Sequence, residues 1–198
     1  MARSTDGSRR DEVVATAARV FAEHGYRATS MNDLAEAVGL SKAGLYHHVR
    51  SKEELLVQLY EDALAQQLDA ERTIVAAGLP PAQTLRRLLQ ERIVHACQNR
   101  QLQKIQSEEE AELPAELMGT VRGRRRDRTR LLVQVVTDGI DKGDFRPAVS
   151  PRIAVMAMLG AVNFVYKWYD PAGERTPEQL AEEIADYLLA GLRPTGRP

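Results

Sequence analysis

Cysteine, charge of one sign and long apolar runs are all scarce in this sequence. Cys97 is the only cysteine among 198 residues, which rules out an internal disulfide and a cysteine-based metal cluster. The 27 Lys and Arg against 28 Asp and Glu leave a net charge of −1. That argues against non-specific coating of nucleic acid, but leaves room for a small module with a local positive face. Residues 1–52 lean slightly basic, with eight Lys and Arg against six Asp and Glu. No apolar run approaches membrane length and the N-terminus has no signal-peptide core, so a soluble cytoplasmic protein is expected. Catalytic constellations are missing as well. His24, His47, His48 and His95 are scattered, and His47 and His48, neighbours on one helix, point about 100° apart and do not chelate. Ser41 has no base and orienting acid at readable spacing. No glycine-rich phosphate loop follows a strand, and no convincing strand is present. The expectation is an all-α protein of two parts, with no enzyme activity, cofactor or metal.

What the sequence does hold is the stretch Ser30–Leu56. Ser30 caps a short helix, with Asp33 three residues on as in a capping box. Met31, Leu34, Ala35 and Val38 share one face of it. Gly39 ends it where a positive φ is needed, and Ser41 caps the next helix, about Lys42–Val49. Leu45 and Val49 anchor that helix to a core. Lys42, Ala43, Tyr46 and His47 share its other face, which has a cation, a small residue, a phenol and an imidazole but no carboxylate. Such a face suits a helix in the major groove, where base edges offer acceptors, donors and methyls and phosphates repel acids. Ser51 and Glu54 form a second capping box, and Lys52 with the free N–H groups there can hold a backbone phosphate. The plain alternative is a helical hairpin that binds no nucleic acid.

The residue string resembles the N-terminal DNA-binding domain of the TetR family of transcriptional regulators. The resemblance rests on Thr29-Ser30, Ala35-Glu36-Ala37-Val38-Gly39-Leu40-Ser41, Leu45-Tyr46-His47-His48-Val49 and Lys52-Glu53-Glu54-Leu55, and covers about the first quarter of the chain. Val49 departs from the family's usual Phe and Ala43-Gly44 from its Gly-then-polar order, which bears on base preference. The resemblance implies a three-helix DNA-binding domain over 1–54. An effector-binding and dimerisation domain follows over 55–198, giving about nine helices in all. DNA contacts are expected from Arg9, Arg10, Thr29, Ser30, Ser41, Lys42, Ala43, Gly44, Tyr46, His47 and Lys52. Thr29 can instead only cap, and the basic arm that includes Arg3 can be a solubilising tail.

Farther along, a long helix runs to about Ala76 and breaks at Gly78-Leu79-Pro80-Pro81. It starts in the DNA-binding part and ends in the second part, so it can carry a displacement between them. Helices follow over about 81–99, 114–142, 151–169 and 177–191. The acidic run Glu108–Glu112 reads as a solvated face, or with one acid facing inward as a polar contact for a ligand. The cluster Arg122–Arg130 reads as a solvated face paired with those acids, as a clamp for the phosphates of a ligand, or as a second nucleic-acid patch.

The helix over 151–169 is apolar nearly all round and must be covered on more than one side. A two-fold dimer would cover it and supply the second half-site reader, with Val165, Trp168, Tyr169, Leu180, Ile184, Tyr187 and Leu188 at the interface. The alternative is intrachain core. The family resemblance further implies a cavity for a small effector whose binding releases the operator. Candidate lining residues are His95, Leu132, Val135, Val136, Met158, Val162 and Phe164, each of which also reads as ordinary core. Gly139–Pro147 and Trp168–Gly173 are similar to segments of TetR-family regulators of lipid or sterol breakdown, whose effectors are acyl-CoA thioesters. Arg125 and Arg126 would then meet the phosphates, while an apolar drug-like or aromatic effector is the rival. The function implied is a dimeric, ligand-released repressor on a palindromic operator. The rival from another class is a ligand-free helical adaptor that binds a protein partner.

Overall fold

The structure, a computed structural model, describes residues 5–109, 113–147 and 150–194. Arg3, the side chains of Glu108 and Glu109, and residues 110–112 lie outside the described residues, and so does any pairing of the arginine cluster with those acids. Among the described residues there is no strand, so the all-α expectation holds. The helices are α1 (Thr5–His24), α2 (Met31–Val38), α3 (Lys42–His48), α4 (Lys52–Ala76), α5 (Pro81–Gln98), α6 (Arg100–Glu109), α7 (Gly119–Asp141), α8 (Pro151–Asn163), the single turn α9 (Val165–Trp168) and α10 (Pro177–Ala190).

Local chemistry sets most of these boundaries. Pro81 opens α5, where its missing N–H is no loss. Ser150 and Thr176 cap α8 and α10 through bonds from Ile153 and Gln179. The helix α6 was not expected from the sequence, and two boundaries differ from the sequence reading. The helix expected from Pro114 begins at Gly119, because residues 114–118 close turn bonds from Leu117 to the Pro114 carbonyl and from Met118 to that of Ala115. The helix expected over 151–169 is interrupted at Phe164, whose backbone has φ −99° and ψ −3°.

The chain folds into two compact units. The first comprises Met1–Ala65 and Lys104–Gly123, the second Gln66–Gln103 and Arg124–Pro198. They do not follow one cut in the sequence, since α4, α6 and α7 each contribute to both. In the first unit α1 packs on α2 and α3, and Val13, Phe21, Leu34, Leu45, Leu55, Leu56 and Tyr60 are its buried centre. In the second, α5 packs along α10, α8 and α9. Its core holds Leu85, Leu88, Leu89, Ile93, Leu132, Val136, Val155, Leu159, Ala185 and Leu189. An ion pair between Arg86 and Asp186 ties α5 to α10.

Candidate functional site: a nucleic-acid interface and an arginine-lined cavity

The geometry of α2 and α3 follows from their caps. The Ser30 hydroxyl accepts from Asp33 N–H (3.3 Å) and the Asp33 carboxylate accepts from Ser30 N–H (2.7 Å). Those bonds to Ser30 hold the Asp33 carboxyl below its ordinary range. Gly39 turns the chain with φ +71°, and Leu40 N–H returns to the Ala35 carbonyl at 2.9 Å. Ser41 then caps α3, its hydroxyl accepting from Gly44 N–H at 3.0 Å. Leu45 and Val49 are fully buried. With them fixed, Lys42, Ala43, Tyr46 and His47 are all exposed, as are Ser30 and Ser41, while Gly44 is half-buried beneath Ser41. Tyr46 exposes 45% of its surface, which leaves the ring available to a partner.

The other residues expected at DNA are tied into the unit itself. Thr29 is 3% exposed and its hydroxyl donates to the Gly25 carbonyl at 2.8 Å, so it braces the turn and does not face outward. Lys52 Nζ donates to the Tyr26 and Thr29 carbonyls at 2.9 Å each and sits 4.3 Å over the Tyr26 ring. Most of its binding capacity is spent on the loop that leads into α2. Arg9 pairs with Glu12 and donates to the Val38 carbonyl. Arg10 donates to Gln58 and pairs with Glu54. The second capping box closes differently from expectation. Ser51 accepts from Glu54 N–H, but the Glu54 carboxylate accepts from Arg50 N–H.

In the second unit, α7 and α8 border a cavity of about 400 Å³ lined by Arg125, Arg126, Thr129, Arg130, Val133, Arg152 and Met156. Four arginines and no acidic residue line it, the chemistry of a phosphate-bearing ligand with an apolar portion. Arg125, Arg126 and, within the Arg122–Arg130 cluster, Arg130 were read from the sequence as phosphate-facing; Thr129, Val133, Arg152 and Met156 were missed. The signal for the last two was a charged and an apolar residue one turn apart at the start of α8.

Leu132, Val135, Val136, Met158 and Val162 are packed in the core. His95 is half-buried, with its ring nitrogens against the amides of Gln67 and Asn99. Burial, reinforced by Arg128, lowers its pKa. Phe164, expected in a lining, is instead 54% exposed at the α8–α9 break under the ammonium of Lys167. Val165, Tyr169 and Leu180, expected at a dimer interface, are buried within their own chain, whereas Trp168 and Tyr187 are 56% and 81% exposed. Ile184 and Leu188 are half-buried against the core. Ile153 and Met156 of α8 are exposed apolar residues as well.

A glycine-turned helix pair that offers an acid-free outer face defines a helix-turn-helix protein of the kind that reads DNA. Comparison with known proteins fixes the family. Residues 13–59 match the model described as bacterial regulatory proteins, tetR family, and residues 78–192 match the tetracyclin repressor-like C-terminal domain. The chain belongs to the TetR family of transcriptional regulators. It is 30% identical over 190 residues to the HTH-type transcriptional repressor KstR2 of Rhodococcus jostii, covering 96% of this chain and 93% of that one. The solved KstR2 of Mycobacterium tuberculosis superposes with a TM-score of 0.81 at 26% identity over 94% of this chain and 96% of that one. AibR, solved in complex with isovaleryl coenzyme A and operator DNA, superposes with a TM-score of 0.73 at 29% identity, over 94% and 98%. No helix among the described residues is long and apolar enough to cross a membrane.

Proposed function

We propose that this protein is a cytoplasmic, dimeric repressor without catalytic activity, released from a palindromic operator by an acyl-CoA thioester. The DNA-reading part of the proposal rests on the exposed Lys42, Ala43, Tyr46 and His47 face of α3. Ser30, Ser41 and Gly44 supply the surrounding backbone approach, and Arg9, Arg10, Thr29 and Lys52 act behind them by holding α1, α2 and the connecting turn. Two such faces are needed to read two half-sites. The dimer that supplies them is assigned to the apolar surface of Trp168, Tyr187, Ile153 and Phe164, with Ile184 and Leu188 at its edge.

The observation that carries the effector class is the arginine-lined cavity between α7 and α8. Coenzyme A brings three phosphate groups on one flexible carrier, and Arg125, Arg126, Arg130 and Arg152 offer forked donors to them. Val133 and Met156 give the apolar contact beside them. The acyl end is assigned to the adjoining cluster of α5, α7 and α8, where His95, Leu132, Val135, Val136, Met158 and Val162 lie. AibR supports this reading, since it carries isovaleryl coenzyme A on the same fold, and repression follows the relatives named as repressors.

The test is operator release by a panel of acyl-CoA thioesters, with wild type beside an R125A/R126A variant. The variant should hold the operator as tightly as wild type without effector, and should need at least about tenfold more thioester for release, the effect of losing one to two charge-assisted contacts. Unchanged release would remove the thioester from the account and leave the DNA-binding reading standing.

A further inference from the structure

Three ionisable side chains meet inside the second unit, and none of them lines the α7–α8 cavity. Glu71 of α4 is 1% exposed. Arg128 of α7 grips it as a fork, with Nε 3.1 Å from both oxygens and Nη2 2.6 Å from Oε1. Arg92 of α5 reaches the same Oε1 with its Nε at 2.9 Å, and its Nη2 donates to the Arg128 carbonyl at 3.3 Å.

The charges do not balance. Two guanidiniums share one carboxylate whose oxygens are already aligned on Arg128, and Arg92 Nε is left without a properly directed hydrogen bond. His95 does not change this balance, since burial, reinforced by Arg128, disfavours its protonation and a neutral imidazole carries no charge. Burial, with Arg128 close by, pushes the Arg92 pKa down to about 10. A buried ion without its full counter-charge is costly to keep. The arginine side chains keep 8% and 11% exposure against 1% for Glu71, so the little of the triad that reaches the surface is cationic.

We propose that Arg92, supported by Arg128, is the binding site for the carboxylate of a ligand, which completes a cluster of two guanidiniums and two carboxylates. The charge lacking is a single negative one, which a carboxylate supplies and a phosphate dianion overshoots. Glu71 already shows that a planar carboxylate matches the guanidinium forks here. Taken with the function proposed above, the effector is a thioester whose acyl group ends in an acid. That extension rests on the acyl-CoA reading; the carboxylate site does not.

The probe for the site itself is formate. Thermal unfolding of the full chain is compared in sodium formate and in sodium fluoride at equal ionic strength, for wild type, R92Q and E71Q. Wild type should unfold about 2–4 °C higher in formate, as expected for a ligand that binds only the folded state. R92Q, in which Glu71 and Arg128 balance each other, should lose that gain. E71Q, in which two cations face no carboxylate, should gain more from formate than wild type does. A purely structural triad predicts two destabilised variants with the same formate response as wild type, and that result would overturn the proposal, as would loss of the response in E71Q. Circular dichroism at the start of each scan confirms that the variants are folded.

Operator release by adipoyl-CoA and hexanoyl-CoA then tests the extension. The diacid thioester should act at about tenfold lower concentration on wild type and at equal concentration on R92Q. Equal action on wild type overturns the extension. Release by neither sinks the acyl-CoA reading, and the formate response alone then decides the carboxylate site.

Discussion

At the scale of single residues, two glycines separate two kinds of constraint. Gly39 takes φ +71° with nothing within 4 Å of where a Cβ would stand, so Gly39→Ala should cost only the left-handed backbone, about 1 kcal/mol. Gly139 has ordinary φ, but a Cβ there would lie 2.2 Å from Phe145 Cδ2. Gly139→Ala should displace the Phe145 ring, which is 4% exposed, and cost about 1–3 kcal/mol. Denaturant titration reads both, and a G139A variant as stable as wild type would contradict the packing account. Gly39 was legible in the sequence because an αL position needs only its own neighbours. Gly139 was not, because the ring it accommodates arrives through the turn after α7.

His95 gives a pH prediction of defined sign. Its folded-state pKa lies below the ordinary 6.5, chiefly through burial, so below about pH 6.5 the unfolded chain takes up a proton that the folded chain refuses. Its contribution to stability is therefore present above that pH and lost as pH falls. Replacing His95 by Gln should flatten the acid limb of stability against pH. A variant with an unchanged acid limb would assign that limb to other groups.

At the scale of elements, the caps of α2 and α3 were readable because each depends on a hydroxyl and the backbone three residues on; Ser150 and Thr176 cap α8 and α10 by the same rule but were not read. The break between α8 and α9 was not. Val155, Leu159, Val162, Tyr166 and Tyr169 are buried on both sides of it, so apolar periodicity runs across the interruption without a mark. The buried ions carried a signal that composition hid. Glu71 continues the stripe of Leu64 and Leu68, Arg92 that of Leu85 and Leu88, and Arg128 precedes Leu132 and Val135 by one and two turns. Each is a charge at a core position of its own helix, and the three meet. The arginines of α7 read as one cluster in sequence, yet the helix parts them. Arg128 turns inward, whereas Arg125, Arg126 and Arg130 border the cavity.

The exposed apolar face of α8, α9 and α10 makes its own prediction. Trp168 and Tyr187 are core-type residues left facing outward, and a surface of that kind marks an interface. Trp168→Glu with Tyr187→Glu should convert a dimer to a monomer in sedimentation equilibrium without loss of helical signal, because neither ring supports its own chain's core. A wild-type monomer at micromolar concentration would contradict the interface. Val165, Tyr169 and Leu180 were placed at that interface from the sequence because an all-round apolar helix does not say which side meets its own chain.

At the scale of the whole molecule, the account is that an outward face on α3 reads DNA and an effector in the second unit governs it. The family and the fold were legible from one quarter of the chain, since the helix-turn-helix is specified by local caps, a glycine turn and two anchors. The proposed effector site was only half legible. Its cations come from α7 and α8, and nothing in the sequence spacing brings Arg152 beside Arg125 and Arg126. The two compact units were also not readable as a single cut, because three helices contribute to both.

The measurement that tests this most directly is a mobility shift on the duplex upstream of the protein's own gene, or on duplexes selected from a random pool, with wild type, K42A and Y46A. The account predicts a specific complex for wild type. For each variant it predicts a loss of about tenfold or more, with helical content unchanged, since both side chains are exposed and support no core. Variants that bind the selected duplex as tightly as wild type, or a wild type that selects no sequence, would contradict it and favour a helical adaptor that binds another protein.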